Sequence, residues 1–493
     1  MLHAVGPGML IGAISWAYAM TLPCGVSENR IWKAIYISVI LILNIIMGLM
    51  ELVVGVKLNE FVYSTHWMLI FASNLGEACE FLNTYIDGEL IILFTGLVVF
   101  GILIWHISRR INKSDIVKKI SSYLAFAGLG CIIFTSWTHL WKDCGVGRAA
   151  KALYDVSEIE KYDLRNTQKE YEVVAVNETH PANIILIVGE SFDKNHSNLY
   201  GYDKMTNPLL TRRSEDSTLT VFYNVSSSAP TTSSSMRLML TLTEDINDTN
   251  WMTNPILPAF MSKCGYHTMW LSNQCANSIY DNMEEQFSQT CDGRYFTIRD
   301  YEVYSKPDSV LFAPFAKHIA SLKHSQPNFT VVHLLGSHQD YSRRYPPQFG
   351  RFKEADYPDQ PRERRSTFAS YDNSILYNDY CVDRLISMSD SLEAIVIYVP
   401  DHGQDFYYTR DVAAHGRLSD PKSFKAGCQI PFMIYFTPGY RAVHPETVSR
   451  MHNYKDQTFE TKYLMNTIME LTGFDIKGSH AYKKSLFEGN IYK

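Results

Sequence analysis

The chain lacks several features that define whole classes of protein. Its 493 residues include only nine cysteines, and 45 basic side chains are outnumbered by 51 acidic ones, which gives a formal net charge of -6. This composition excludes a small disulfide-stapled domain, a disordered chain and a collagen-like or coiled-coil fibre. Since there is no basic excess to displace counterions from phosphates, we expect no nucleic-acid partner.

Charged residues are scarcest near the amino terminus. Residues 1–107 hold only ten of the Lys, Arg, Asp and Glu side chains, three basic and seven acidic. A helix of about 20 apolar residues crosses a bilayer, and five apolar runs recur at about 2–22, 33–56, 61–76, 89–107 and 121–141. The sequence therefore predicts a transmembrane domain of five helices over residues 1–141. A cleaved signal peptide is the alternative for the first run, which lacks the basic segment typical of such peptides.

The loop before the last apolar run sets the orientation. Residues 108–119 (SRRINKSDIVKK) carry five basic side chains, which the positive-inside rule places in the cytoplasm. Everything after residue 141 then lies on the outer side of the membrane. The polar stretch 142–182 is predicted to be a linker or juxtamembrane segment, and 183–493 a separate domain.

Short apolar segments in this outer domain predict a sheet. They are continuous, as in strands buried on both faces: NIILIVG (183–189), HTMWLSN (267–273), FTVVHLLG (329–336), AIVIYVP (394–400) and PFMIYF (431–436). Helix-length stretches such as 366–389 lie between them. The pattern predicts an α/β fold in which helices cover both faces of a largely parallel sheet. In such folds, ligands bind at the carboxyl ends of the strands.

Polar side chains follow three of these predicted strands. Glu190 follows the first run, His338 lies in the GSH that follows the third, and Asp401 and His402 follow the fourth. Two carboxylates with an imidazole suit zinc, with manganese as the alternative. Because the strand ends share one edge of the sheet, we expect these residues to form one metal site.

A segment rich in serine and threonine offers the reacting group. Residues 222–241 (FYNVSSSAPTTSSSMRLMLT) run from a strand-like start into a helix-like end. A metal-bound hydroxyl loses its proton far more readily than a free one, and the amides at a helix amino end bind phosphate. On composition alone, either Thr231 or Thr232 fills this position. A helix cap without chemistry is the alternative.

Taken together, these motifs resemble the phosphoethanolamine transferases that modify bacterial outer-membrane glycolipids, in the alkaline phosphatase and sulfatase superfamily. The matching stretches, in the family's order, are IVGESFDKNHSNLYGYDKMTNP, the Ser/Thr segment ending in MLT, VVHLLGSHQDYSRRYP, YDNSILYNDY and VPDHGQDF. The resemblance covers nearly the whole chain. It implies a five-helix transmembrane domain in the bacterial inner membrane, followed by a periplasmic, sulfatase-like α/β/α sandwich over 183–493.

The resemblance also assigns roles residue by residue. It implies four zinc ligands, namely Glu190, Thr232, Asp401 and His402. Thr232 matches the family's nucleophile, and His338 and His415 resemble its two substrate-binding histidines. The implied reaction moves phosphoethanolamine from phosphatidylethanolamine to lipopolysaccharide or another envelope glycan, through a phospho-threonine intermediate on a monomeric enzyme.

Two further positions bear on the donor and the acceptor. In ASNLGEA, Ser73 and Glu77 resemble the residues that hold the ethanolamine head of the donor lipid. Ser228 and Leu238 stand where the polymyxin-resistance branch of the family has cysteines that flank the nucleophile segment. This difference favours the sugar core over lipid A as the acceptor.

Three alternatives remain open at this point. A sulfatase-like hydrolase needs a C/S-x-P-x-R motif, and the stretch Ser228–Thr232 ends in Thr where Arg belongs. A glycerol-phosphate transferase of the lipoteichoic acid synthase type shares the spans, the threonine and the metal set, so only the donor separates the two. A membrane-anchored sensor or scaffold is the third alternative, which the intact site residues disfavour.

Overall fold

The computed structural model describes residues 164–167, 170–177 and 180–491, with gaps at 249, 276–282, 299–305, 323–325 and 419, and scattered residues between 50 and 99. Most of the predicted transmembrane domain lies outside these residues, as do Ser73 and Glu77. Among the described residues, no helix is both long and apolar enough to span a bilayer. The chain divides into two compact units, one of which contains Glu160–Lys493.

Strands form the centre of this unit. In chain order, the described strands are β1 (Val173–Ala175), β2 (Asn183–Gly189), β3 (Leu219–Phe222), β4 (Val225–Ser226), β5 (His267–Cys275), β6 (Gly293–Ile298), β7 (Asn328–His333), β8 (Ala394–Pro400), β9 (Asp405–Phe406), β10 (Ala413–Ala414), β11 (Phe432–Phe436), β12 (Phe459–Glu460) and β13 (Phe474–Ile476). Among the described residues, seven of them form the main sheet in the order β3-β11-β8-β2-β7-β5-β6. Strand β11 runs antiparallel to both of its neighbours. The pairs β8–β2, β2–β7, β7–β5 and β5–β6 are parallel.

Helices flank the sheet. The described helices are α1 (Leu164–Thr167), α2 (Pro208–Glu215), α3 (Thr232–Met239), α4 (Leu257–Lys263), α5 (Met283–Gln289), α6 (Phe312–Ser321), α7 (Arg362–Ser389), α8 (Pro421–Gly427), α9 (Pro438–Val443), α10 (Pro445–Met451) and α11 (Leu464–Thr472). The predicted α/β fold is confirmed, and β2 and β8 have the predicted bounds.

The two faces of the sheet are buried in separate cores. Along β2, Ile184 and Leu186 pack in one hydrophobic cluster with residues of α3, α4 and α11. Ile185 and Ile187 pack in the other cluster with residues of α2, α6 and α7. Because successive side chains of a strand point to opposite faces, this alternation explains why the central strands are continuously apolar in sequence.

The compact unit begins earlier than the predicted outer domain. Leu164 is fully buried in the first of these cores, and β1 pairs antiparallel with β13 near the end of the chain. Part of the segment predicted as a linker, 142–182, therefore packs on the unit that carries the candidate site. Its polar composition hid these contacts, because the apolar residues there are few and have no clear period.

Candidate active site

The candidate site lies at the carboxyl ends of β2 and β8. These strands are parallel neighbours in a register that pairs Gly189 with Pro400, so the residues that follow them emerge side by side. The Asp401 backbone N–H donates to the Gly189 carbonyl at 3.0 Å. Glu190, Asp401 and His402 are each buried. The predicted convergence on one sheet edge therefore holds for these three side chains.

Their side chains lie within ion-pairing distance. His402 Nε2 is 3.3 Å from Glu190 Oε1 and 3.5 Å from Asp401 Oδ2. The other oxygen of Asp401 is already committed, since it accepts the backbone N–H of His402 at 2.6 Å and that of Ser191 at 3.1 Å. His402 Nδ1 donates to the Gly403 carbonyl at 2.6 Å. This bond orients the ring so that Nε2 faces the two carboxylates.

Helix α3 brings a threonine hydroxyl to the same place. Thr232 Oγ1 lies 3.4 Å from both Glu190 carboxylate oxygens and 3.3 Å from His402 Nε2. Thr232 is the first residue of the helix, and Thr231 is its N-cap with an extended backbone. Of the two threonines that composition left open, Thr232 is the one whose hydroxyl contacts the predicted ligands.

Two serines of the same segment support the site rather than react in it. Ser227 Oγ donates to the Asp401 carbonyl at 2.6 Å and lies 2.9 Å from Ser235 Oγ. Ser235 Oγ donates to the same carbonyl. The run of serines therefore anchors the strand end that carries Asp401, a role that composition did not indicate.

His415 and His338 border this cluster. Glu190, His402 and His415 each offer one ligand atom, and these three atoms lie within 4.8 Å of one another. The rings of His402 and His415 meet edge to face with centroids 4.6 Å apart. The backbone N–H of Ser337, the residue before His338, donates to the Glu190 carbonyl at 3.0 Å, so His338 also lies near. The structure thus gathers all six predicted site residues of the outer domain.

Burial and charge act against each other in this cluster. Burial opposes ionisation of Glu190, but hydrogen bonding and the charge of His402 hold the pKa of Glu190 well below its usual value. Burial and the Glu190 carboxylate raise the pKa of Asp401 well above its usual value. Burial lowers the pKa of His402, yet Asp401 and Glu190 outweigh it and raise that pKa to about 9. Two buried carboxylates so close together need a positive charge beside them.

The donor set fits a zinc ion. Two carboxylates, an imidazole and a hydroxyl are oxygen and nitrogen ligands of the kind that zinc accepts. Three buried atoms, Asp401 Oδ2, His415 Nε2 and His338 Nδ1, have no hydrogen-bond partner among the described residues. Buried polar atoms without a partner are costly, and a bound cation with a phosphoryl ligand would satisfy them. Glu190, Thr232, Asp401 and His402 are the residues placed to hold the cation.

Two buried residues at or next to the ends of β2 and β7 were not singled out from the sequence. Ser191 donates its hydroxyl to Glu190 Oε1 at 2.6 Å. His333, at the end of β7, is fully buried with neither ring nitrogen hydrogen-bonded among the described residues, and burial lowers its pKa to about 4. The only available sign was position, since each lies at or next to the end of a central strand.

Comparison with known proteins agrees with this geometry. A family profile described as sulfatase matches residues 182–474. Phosphoethanolamine transferase EptC of Escherichia coli K12 is 30% identical over 305 residues, which are 60% of this chain and 52% of that protein. The chain thus spans about half the length of that relative.

Solved structures show the same fold. The periplasmic domain of E. coli EptC, in complex with Zn, superposes with a TM-score of 0.58 at 26% identity. The match covers 66% of this chain and 90% of the EptC domain. The integral membrane protein lipooligosaccharide phosphoethanolamine transferase A of Neisseria meningitidis is similar in fold over 98% of both chains, with a TM-score of 0.59 at 16% identity. The chain therefore belongs to the sulfatase family.

Proposed function

We propose that this protein is a membrane-bound, zinc-dependent transferase that moves phosphoethanolamine from phosphatidylethanolamine to lipopolysaccharide or another envelope glycan. The observation that carries the proposal is the Thr232 hydroxyl, 3.3 Å from His402 Nε2 and 3.4 Å from Glu190. A partly buried hydroxyl beside a carboxylate and an imidazole is placed to become a nucleophile. The name of the relative EptC and the Zn complex of its periplasmic domain support the donor group and the metal.

The first half of the reaction forms the covalent intermediate. Thr232 Oγ attacks the phosphorus of the donor, the bond from phosphorus to the diacylglycerol oxygen breaks, and that oxygen leaves as a hydroxyl after taking up a proton. Bound zinc would lower the pKa of the hydroxyl and neutralise charge on the phosphoryl oxygens. The first-turn amides of α3 face the same phosphoryl group and favour its negative charge.

The second half transfers the group. An acceptor oxygen on the glycan attacks the phosphorus, the Thr232 Oγ–phosphorus bond breaks, and the threonine hydroxyl is restored. His338 and His415 have buried ring nitrogens without a hydrogen-bond partner among the described residues. These nitrogens are placed to bind the phosphoryl group, or to take the proton of the attacking hydroxyl and give one to the leaving oxygen. A covalent intermediate lets the donor and the acceptor use one site in turn.

We assign the donor to the membrane side of the protein. Ser73 and Glu77 are proposed to hold the ethanolamine head, and five helices over 1–141 to anchor the monomeric enzyme in the bacterial inner membrane, with the outer domain in the periplasm. Among the described residues of this region, Ile91 and Ile92 are 56% and 72% exposed. Exposed large apolar side chains are expected where lipid, not water, surrounds a helix.

Labelled donors test the proposal. Purified full-length protein is incubated with labelled phosphatidylethanolamine or phosphatidylglycerol, and digestion followed by mass spectrometry locates the label. We expect phosphoethanolamine on the peptide that contains Thr232, and no label on Thr232→Ala. Labelling by phosphatidylglycerol alone would identify the glycerol-phosphate transferase instead, and equal labelling of Thr232→Ala would refute the nucleophile. Mass spectrometry of envelope glycolipids with and without the protein then identifies the acceptor.

A further inference from the structure

Ser191 occupies an unusual position directly after Glu190. Its backbone φ is +56°, in the left-handed region that non-glycine residues rarely adopt. The residue is fully buried. Strain of this kind persists only where the surrounding structure imposes it, and it concentrates at functional sites.

Ser191 contacts both carboxylates of the site. Its hydroxyl donates to Glu190 Oε1 at 2.6 Å, and its backbone N–H donates to Asp401 Oδ1 at 3.1 Å. Both acceptors belong to side chains at the ends of neighbouring strands. One residue therefore fixes the orientation of two carboxylates that come from positions about 200 apart in the sequence.

The long helix α7 holds Ser191 in this conformation. The Tyr371 hydroxyl donates to the Ser191 carbonyl at 2.8 Å and accepts the backbone N–H of Asp193 at 2.8 Å. Tyr371 is itself fully buried. Gly336 also packs closely on this turn, because a Cβ there would lie 2.8 Å from the Glu190 nitrogen. The turn after β2 therefore contacts both α7 and the segment after β7.

We propose that Ser191, held by Tyr371, is a positioning residue that presents Glu190 and Asp401 to the metal. The inference rests on the proposed function in assuming a metal at these carboxylates. Partners that orient metal ligands typically change metal affinity by about 10–100-fold when they are removed. Ser191 touches neither the substrate nor Thr232 in this role, so metal affinity is the property it should govern.

A pair of substitutions separates the hydroxyl from the backbone strain. Ser191→Ala and Ser191→Gly both remove the hydroxyl, but only glycine adopts a φ of +56° without strain. If Ser191 acts through its hydroxyl, both variants should lose zinc affinity by about 10–100-fold, although the glycine variant should be the more thermally stable of the two. If only the turn conformation matters, the glycine variant should bind zinc as the wild type does.

Tyr371→Phe independently tests whether the hydrogen bonds of Tyr371 matter for zinc binding. It removes one hydroxyl that bridges two backbone groups and leaves the ring packing intact. A net hydrogen bond corresponds to about 2–10-fold in an equilibrium constant, and we expect zinc affinity to fall by that factor. The matched controls are Ser389→Ala and Tyr266→Phe, since both wild-type side chains are buried and donate to backbone carbonyls at 2.8 and 2.9 Å, outside the site.

Zinc affinity of the full-length protein is measured by competition with a chelating dye, with Glu190→Gln defining the binding at other sites. Weaker binding in both Ser191 variants and in Tyr371→Phe, with wild-type binding in both controls, would support the inference. Wild-type affinity in Ser191→Gly and Tyr371→Phe would overturn it and leave the proposed function intact. Equal zinc binding by wild type and Glu190→Gln would overturn both, because no zinc would then depend on these carboxylates.

Discussion

Substitution of Asp372 should strongly destabilise the outer domain without removing a side chain of the candidate site. Its carboxylate is fully buried in α7 and accepts His196 Nδ1 at 2.6 Å, the Tyr202 hydroxyl at 2.8 Å and the Tyr357 hydroxyl at 2.5 Å. Burial, and then the charge of Asp372, raise the pKa of both tyrosines above the usual value. Both hydroxyls therefore remain donors, and the carboxylate joins three separate segments to one helix.

The magnitude follows from these three bonds. A buried donor left without an acceptor costs about 1–3 kcal/mol. Asp372→Ala leaves three donors without their acceptor, which should lower the free energy of unfolding by about 3–9 kcal/mol before the structure relaxes. Asparagine keeps one oxygen that still accepts, so we expect Asp372→Asn to lower the free energy of unfolding by about 3–5 kcal/mol, in the lower part of this range.

Hydrogen exchange measures this loss. Strand β2 lies at the centre of the sheet with all seven residues buried, so its amides exchange only when the domain opens. Since about 1.4 kcal/mol corresponds to a tenfold change in an equilibrium constant, the exchange rate of the β2 amides should rise by about two to four orders of magnitude. The control is Asp390→Asn, whose partly exposed carboxylate accepts one tyrosine hydroxyl at 2.6 Å. An acceleration below about fivefold, or one equal to that of the control, would refute the reasoning.

Three further predictions address pH, metal and packing. Burial lowers the pKa of His318 to about 4, so the unfolded chain takes up this proton first and stability should fall as pH drops from about 6.5 to 4. Melting temperatures of wild type and His318→Gln across this range check it, since the variant should lose less stability. Removing metal with a chelator should lower the melting temperature, because Glu190 and Asp401 lose their countercharge, and zinc at about 100 times its Kd should restore about 2.7 kcal/mol. Full stability in the chelator would contradict this. A Cβ at Gly416 would lie 2.7 Å from Pro230 Cβ, so Gly416→Ala should displace the nucleophile segment and slow transfer by about 100-fold. The transfer rate is measured with labelled donor. An unchanged rate would show that the contact between Gly416 and Pro230 relaxes without moving the nucleophile.

The sheet could be predicted where a strand is buried on both faces. Strands β2 and β8 were predicted to the residue, because apolar runs that end abruptly in a charged residue leave little doubt about the boundary. Strand β3 was missed, since its four residues LTVF are too short to stand out beside the Ser/Thr segment. Helix α7 was predicted to begin at 366 and begins at Arg362, because its first turn is charged and gives no apolar period.

The residues of the candidate site also differ in how far the sequence predicts their positions. Glu190, Asp401 and His402 follow central strands directly, so parallel pairing alone places them together. The choice between Thr231 and Thr232 depended on where a helix begins, and a serine-rich sequence does not mark that residue. The proposed role of Ser191 depends on a backbone angle that no sequence pattern encodes. Tyr371 of α7, distant in the chain, hydrogen-bonds the backbone of Ser191 and Asp193 in that turn.

This division has a functional consequence. The proposed metal ligands stand at strand ends and on the first turn of a helix, whereas His415 follows the short hairpin β9–β10. Strand ends are fixed by the sheet, and loops tolerate insertion and substitution. Under the proposed function, the strand ends would fix metal binding and phosphoryl transfer, and the loops would determine which group accepts the phosphoethanolamine. The acceptor of this protein should accordingly be sought by exchanging the segments around His338 and His415 with those of relatives, and not by altering the strand ends.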